Sequence, residues 1–147
     1  MLCDLSFYKN DFFGDLIPDA EFPKYEAMAE DMIHPLTFDR LTRGLPSNEL
    51  SAKRVQKAVC AAAELLYKIN GEAQAQSAVS DDVGLHGAVT SITAGSESIH
   101  YAASSQTAEA KAAGDSAYKQ RLLYETVLPY LANVTDDSGV DLLYAGC

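Results

Sequence analysis

Asn-Glu-Leu-Ser-Ala-Lys-Arg-Val-Gln-Lys-Ala-Val-Cys-Ala-Ala-Ala-Glu-Leu-Leu-Tyr-Lys-Ile, residues 48–69, decides the fold. Ala52, Val55, Ala58, Val59, Ala62, Leu65, Leu66 and Ile69 recur at the three- and four-residue spacing that lines one face of an α-helix. Small residues crowd that face at Ala58, Ala61, Ala62 and Ala63, so a partner helix can approach closely. Ser47 or Asn48 can cap the start, and Asn70-Gly71 reads as a stop. Cys60 lies inside the stripe, which points to a packed thiol rather than a nucleophile.

Upstream, Asp19 and Glu21 suit the start of a helix over 20–33, whose face is Phe22, Tyr25, Met28, Ala29, Met32 and Ile33. Pro23 is tolerated near the start, and Pro35 is expected to end the helix. A short helical piece from Phe38 to Arg43 stops at Gly44. Residues 1–18 read as an irregular arm carrying Phe7, Tyr8, Phe12 and Phe13, with a break at Gly14. The arm packs either on its own body or on a neighbouring subunit.

Downstream, residues 72–106 are read as a loop and a hairpin. Residues 72–87 are small and polar, with Asp81, Asp82 and Gly84. Val89–Ala94 and Glu97–Tyr101 then flank Gly95-Ser96, a pair suited to a two-residue type II′ turn. That register sets Ile92 opposite Ile99 and Thr90 opposite Tyr101. A lone hairpin is marginal in water and must pack on something else. A third helical region spans 107–131, interrupted or restarted at Gly114-Asp115, with Leu123, Tyr124, Val127, Leu128 and Leu131 as its apolar face and Pro129 bending the last turn. Residues 135–147 form a tail in which Leu142-Leu143-Tyr144 follows an acidic turn. The fold class is therefore mainly α: a small helical bundle in one domain, 1–147, with one β-hairpin inserted between the long central helix and the C-terminal helix.

The 147 residues suffice for one core, and 48% hydrophobic content excludes wholesale disorder. Twenty-one acids against eleven bases give a formal charge of -10, which disfavours a DNA-reading role. Cys3, Cys60 and Cys147 have no metal-type spacing and read as free thiols in a reducing compartment. No secretory leader and no apolar run near ~20 residues is visible, so the chain is expected to be made in a cytoplasm, without membrane partners.

The search for chemistry returns no catalytic signature, and no catalytic, cofactor or metal residue is assigned. His34, His86 and His100 have no partner implied nearby. The acidic groups Glu26, Glu30, Asp31 and Asp136, Asp137, Asp141 read as solvated faces, with divalent-cation binding as the rarer use of such clusters. The hairpin and the tail remain as surfaces in search of a partner; both suit strand addition between chains. The tail alternatively docks on its own core.

The order of elements resembles that of the small head–tail connector proteins of long-tailed phages, also called head-completion or adaptor proteins. The ending resembles theirs most: Tyr130-Leu131, a gap, then Leu142-Leu143-Tyr144-Ala145-Gly146, where the family closes on Gly-Leu-Leu-Tyr-Arg-Gly. Val89 to Tyr101 is similar to the family's Ser/Thr-rich hairpin with a central Gly. Asp141 and Ala145 stand where that pattern has Gly and Arg, and the gap after Leu131 is longer, so a contact made by that Arg must differ here. The resemblance implies a homo-oligomeric ring, twelve-fold, at the head–tail junction of a virion. Its partners are the portal protein on one side and the next connector or tail protein on the other. Packaged DNA passes through the lumen without specific binding. The expected contact residues are Ile92, Ile99 and Tyr101 on the hairpin and Leu142, Leu143 and Tyr144 at the tail. A small acidic helical module that binds a basic partner is the competing reading, and a small enzyme with an unrecognised site is a third.

Overall fold

A computed structural model describes residues 1–75 and 108–144. The expected hairpin, with Ile92, Ile99 and Tyr101, falls outside the described residues. The protein is mainly helical, and no strand occurs among the described residues. Five helices are described: α1 Leu5–Asn10, α2 Phe22–Leu36, α3 at 49–75, α4 Ala108–Gly114 and α5 Ser116–Leu131. The chain divides into two compact units, one of Met1–Tyr67 with Leu123–Cys147, the other of Lys68–Leu122.

In the first unit the expected irregular arm contains a helix. Asp4 caps α1 by accepting from the Phe7 amide at 2.8 Å. Leu2, Cys3, Phe7, Tyr8 and Ile17 are all buried, so the arm packs on its own body. Tyr8 fixes it there. Its hydroxyl donates to Glu64 at 2.9 Å and accepts from the Ile17 amide at 3.1 Å, while its ring stacks on Phe22 at 4.6 Å. Burial pushes the Tyr8 hydroxyl up to about 12, which keeps it a donor at every physiological pH. Gly14 closes over the same ring, so close that a Cβ would lie 2.1 Å from it.

The boundaries of α2 correct two expectations. Asp19 does not cap it: its carboxylate pairs with Lys9 at 2.8 Å, and the cap position, Glu21, makes no side-chain bond. Pro23 occupies the first turn, where its missing N–H has no intrahelical partner to lose. Pro35 does not end α2 but sits inside its last turn. The helix ends on left-handed residues instead, Phe38 (φ 53°) and Asp39 (φ 59°). The Asp39 amide donates to His34 O and the Phe38 amide to Pro35 O, which is the Schellman pattern built without glycine. Those left-handed residues also exclude the expected helical piece from Phe38 to Arg43, which is a run of turns ending at Gly44 (φ 110°).

Asn48, not Ser47, caps α3, accepting from the Ser51 amide at 3.1 Å. The predicted stripe is buried from Val55 onward, with Val55, Ala58, Val59, Ala62, Leu65, Leu66 and Ile69 inside together with Cys60 and Ala63, while Ala52 at its start is half-buried. The stop at Asn70-Gly71 does not occur, since helix continues to residue 75. One interior Gly is worse than Ala by only about 1 kcal/mol, and Glu72-Ala73-Gln74-Ala75 are all helix formers.

Asp115 separates α4 from α5 and starts the latter, its carboxylate accepting from the Ala117 amide at 3.0 Å. Only part of the apolar face expected on α5 is buried. Leu123, Val127 and Leu131 are inside, whereas Tyr124 and Leu128 are exposed. Asn133 (φ 61°) reverses the chain after α5, and Val134 re-enters the core.

Candidate functional site

The tail is held as a clasp. A bridge pairs Thr135 with Asp141, and the Leu142 amide donates to Val134 O at 2.8 Å. Asp136 organises the turn between them, its Oδ1 accepting from the Ser138 amide at 2.8 Å and the Val140 amide at 3.0 Å. Asp141 accepts from the Leu143 amide at 2.9 Å. Arg40 ties the clasp to the loop after α2, donating to Leu142 O at 3.1 Å and approaching Asp136 at 4.0 Å. Asp137 is taken by Ser47, whose amide and hydroxyl donate at 2.7 and 2.9 Å. These bonds from Ser47 lower the Asp137 carboxyl below the usual carboxylate range. The acidic trio Asp136, Asp137 and Asp141 thus organises turns and caps at the surface, with Asp137 exposed and Asp136 and Asp141 half-buried.

The expected contact residues of the tail separate. Leu142 is fully buried, because its backbone bond to Val134 carries the side chain inward; it belongs to the chain's own core and not to a neighbour's. Leu143 is half-buried, and Tyr144 is 55% exposed. Tyr124 and Leu128, one turn apart on α5, are an exposed apolar pair that the periodicity alone places inside. The Leu123–Val127–Leu131 line is covered and the flanking pair is not.

A cleft of about 280 Å³ lies beside the clasp, between the loop from Asp39 to Pro46 and Asp136, Asp137 and Ser138. Of the charged groups that line it, Arg40 bonds Leu142 O, Asp136 accepts from two amides and Asp137 accepts from Ser47, and Asp39 and Arg43 complete the lining. It offers a polar surface on which the Asp136 and Asp137 carboxylates already accept hydrogen bonds.

The second cluster is internal, and sequence spacing gave no sign of it. Residues 1–3 thread between α2 and α3. The Leu2 amide donates to both Glu26 and Glu30, and the Cys3 amide donates to Glu26 at 3.2 Å. Gln56 donates to Leu2 O at 3.2 Å, and the Met1 amino group lies 3.5 Å from Glu30. This brings Cys3 Sγ within 3.0 Å of Cys60 Sγ, both thiols buried and free. Glu26 is itself buried, which corrects its assignment to a solvated face.

The two carboxyls divide their roles. Burial, with a hydrogen bond to Glu30, pushes Glu26 up to about 7, against the pull of the Leu2 and Cys3 amides. Burial also opposes the charge of Glu30, but the bonds from Glu26, the Leu2 amide and the Met1 amino group outweigh it and hold Glu30 below its ordinary value. Below about pH 7 the pair therefore keeps one proton between its two carboxyls. The neighbouring Cys3 sulfur and burial push the Cys60 thiol up, so it stays protonated.

Among the described residues no group of three or more His, Cys, Asp or Glu side chains is placed to hold a metal ion, and no helix is long and apolar enough to cross a membrane. No protein-family model, no curated protein and no solved structure matches this chain.

Proposed function

We propose that this chain is a structural subunit that works by assembly, a ring-forming head–tail connector of a tailed-phage particle, and that it performs no catalysis. The observation that carries the reading is a set of apolar side chains left exposed on α5 and beside the clasp. Tyr124 and Leu128 stand exposed on α5, and Tyr144 stands exposed two residues after an anchored Leu142. The clasp gives the tail a fixed exit point, which suits a contact repeated from subunit to subunit around a closed ring. The hairpin of 89–101, with Ile92, Ile99 and Tyr101, supplies the second contact in this reading, by edge pairing with a neighbour. The acidic charge of -10 suits a lumen through which DNA slides without binding. A twelve-fold ring between portal and tail, in the virion, is the form the sequence resemblance favours.

Sedimentation and negative-stain microscopy of the full chain, alone and with portal protein, test this. Rings alone, or rings nucleated by portal, are expected. Y124D/L128D and, separately, I92D/I99D should abolish rings while leaving the helical circular dichroism unchanged. A small species that stays the same size across concentrations and ignores portal would sink the proposal and favour the acidic binding module.

A further inference from the structure

We propose that Cys3 and Cys60 are an oxidisable pair, and that their disulfide locks the segment before α1 onto the middle of α3. The inference does not depend on the ring reading. It stands on three placements. The sulfurs of residues 57 apart in sequence are 3.0 Å apart in the interior. Three side chains hold the backbone of Leu2 and Cys3 at that spot: Glu26 through both amides, Glu30 through the Leu2 amide, and Gln56, one turn before Cys60, through Leu2 O. And both sulfurs are free. Bond formation needs the sulfurs to close by only about 1 Å, to the ~2.05 Å of a disulfide.

The oxidant is a small-molecule disulfide. Both sulfurs are covered in the closed state, so it gains access when residues 1–4 lift away. Cys3 then gives up its proton, and its thiolate attacks one sulfur of the oxidant, forming a mixed disulfide and releasing the other half as a thiolate that takes a proton. When the segment closes again, the Cys60 thiol loses its proton as its sulfur attacks the Cys3 sulfur, and the second half of the oxidant leaves as a thiol. The protein loses two electrons and two protons, and the small disulfide becomes two thiols. Cys3 is the entry sulfur because its segment is the one that can lift, whereas Cys60 is held in the middle of α3.

The test uses the full chain and glutathione disulfide, followed by denaturation, alkylation of remaining thiols and peptide mass mapping. The expected product has a Cys3–Cys60 crosslink, loses two hydrogens and reverts with dithiothreitol. Its urea midpoint rises by about 1–2 M, because the link closes a long loop in the unfolded chain. C60S should stop at a glutathione adduct on Cys3, with no rise in midpoint. Recovery of Cys3 and Cys60 as alkylated free thiols from the wild-type chain, with glutathione or dimer linkage confined to Cys147, would overturn the proposal. That outcome is readable without any variant having to fold.

Discussion

Replacing Glu26 by Gln should make this protein insensitive to a pH change that weakens the native chain. Glu26 is buried, its value is raised from 4.5 to about 7, and the cause is first burial and then the hydrogen bond to Glu30. Between those two values the folded chain keeps a proton on Glu26 that the unfolded chain has released, so stability is full below about 4.5 and falls as pH rises through about 7. At about 1.4 kcal/mol for each pH unit of difference, the loss by pH 8 is at most about 3 kcal/mol. Glu30 is shifted the other way, and its contribution is lost only as pH falls below the ordinary carboxylate range, so the two windows do not overlap. In E26Q the new carboxamide keeps an oxygen for the Leu2 and Cys3 amides, and its NH2 donates to Glu30 in place of the carboxyl proton. The assay is urea unfolding of both chains from pH 5 to pH 8. With a urea slope of roughly 2 kcal/mol per molar, the native midpoint should fall by about 1–1.5 M over that range, and the E26Q midpoint should fall much less. The other ionisable groups are shared, so the difference between the chains isolates Glu26 and the neighbour it is paired with, Glu30. Parallel profiles, or an E26Q chain weaker than native at pH 8, would refute the idea that one proton sits on Glu26 beneath the N-terminal segment.

Three further outcomes are expected. Gly14→Ala forces its Cβ into the fully buried Tyr8 ring, which the bonds to Glu64 and Ile17 keep from moving aside, and should destabilise by about 1–3 kcal/mol in urea melts. Tyr8→Phe leaves the buried Ile17 amide without its acceptor and should lose a similar ~1–3 kcal/mol, with exchange protection lost first at Ile17 by hydrogen–deuterium exchange. Leu142→Ala should lower stability by about 2–5 kcal/mol by opening a cavity under the clasp, while Tyr144→Ala, at an exposed site, should stay within about 0.5 kcal/mol of native; equal effects of the two would contradict the division of the tail into anchor and surface.

The interior stripe of α3 was legible in the sequence because helical periodicity and burial are the same fact seen twice: residues three and four apart share a face, and that face must leave water. The mainly helical class and the break at Asp115 were legible for the same local reasons. The termini of elements were less so. Pro35 and Gly71 read as stops, yet a single lost bond or a ~1 kcal/mol propensity penalty is outweighed when neighbours pack, and the real end of α2 lies at Phe38 and Asp39, whose left-handed backbone no glycine announces. Which side of α5 is covered, that Leu142 is anchor and Tyr144 surface, and that Cys3 meets Cys60 beside a carboxyl pair were decided by tertiary structure alone. Periodicity fixes directions around one helix axis, but contacts between residues 57 apart depend on how several axes meet, and no local pattern carries that information.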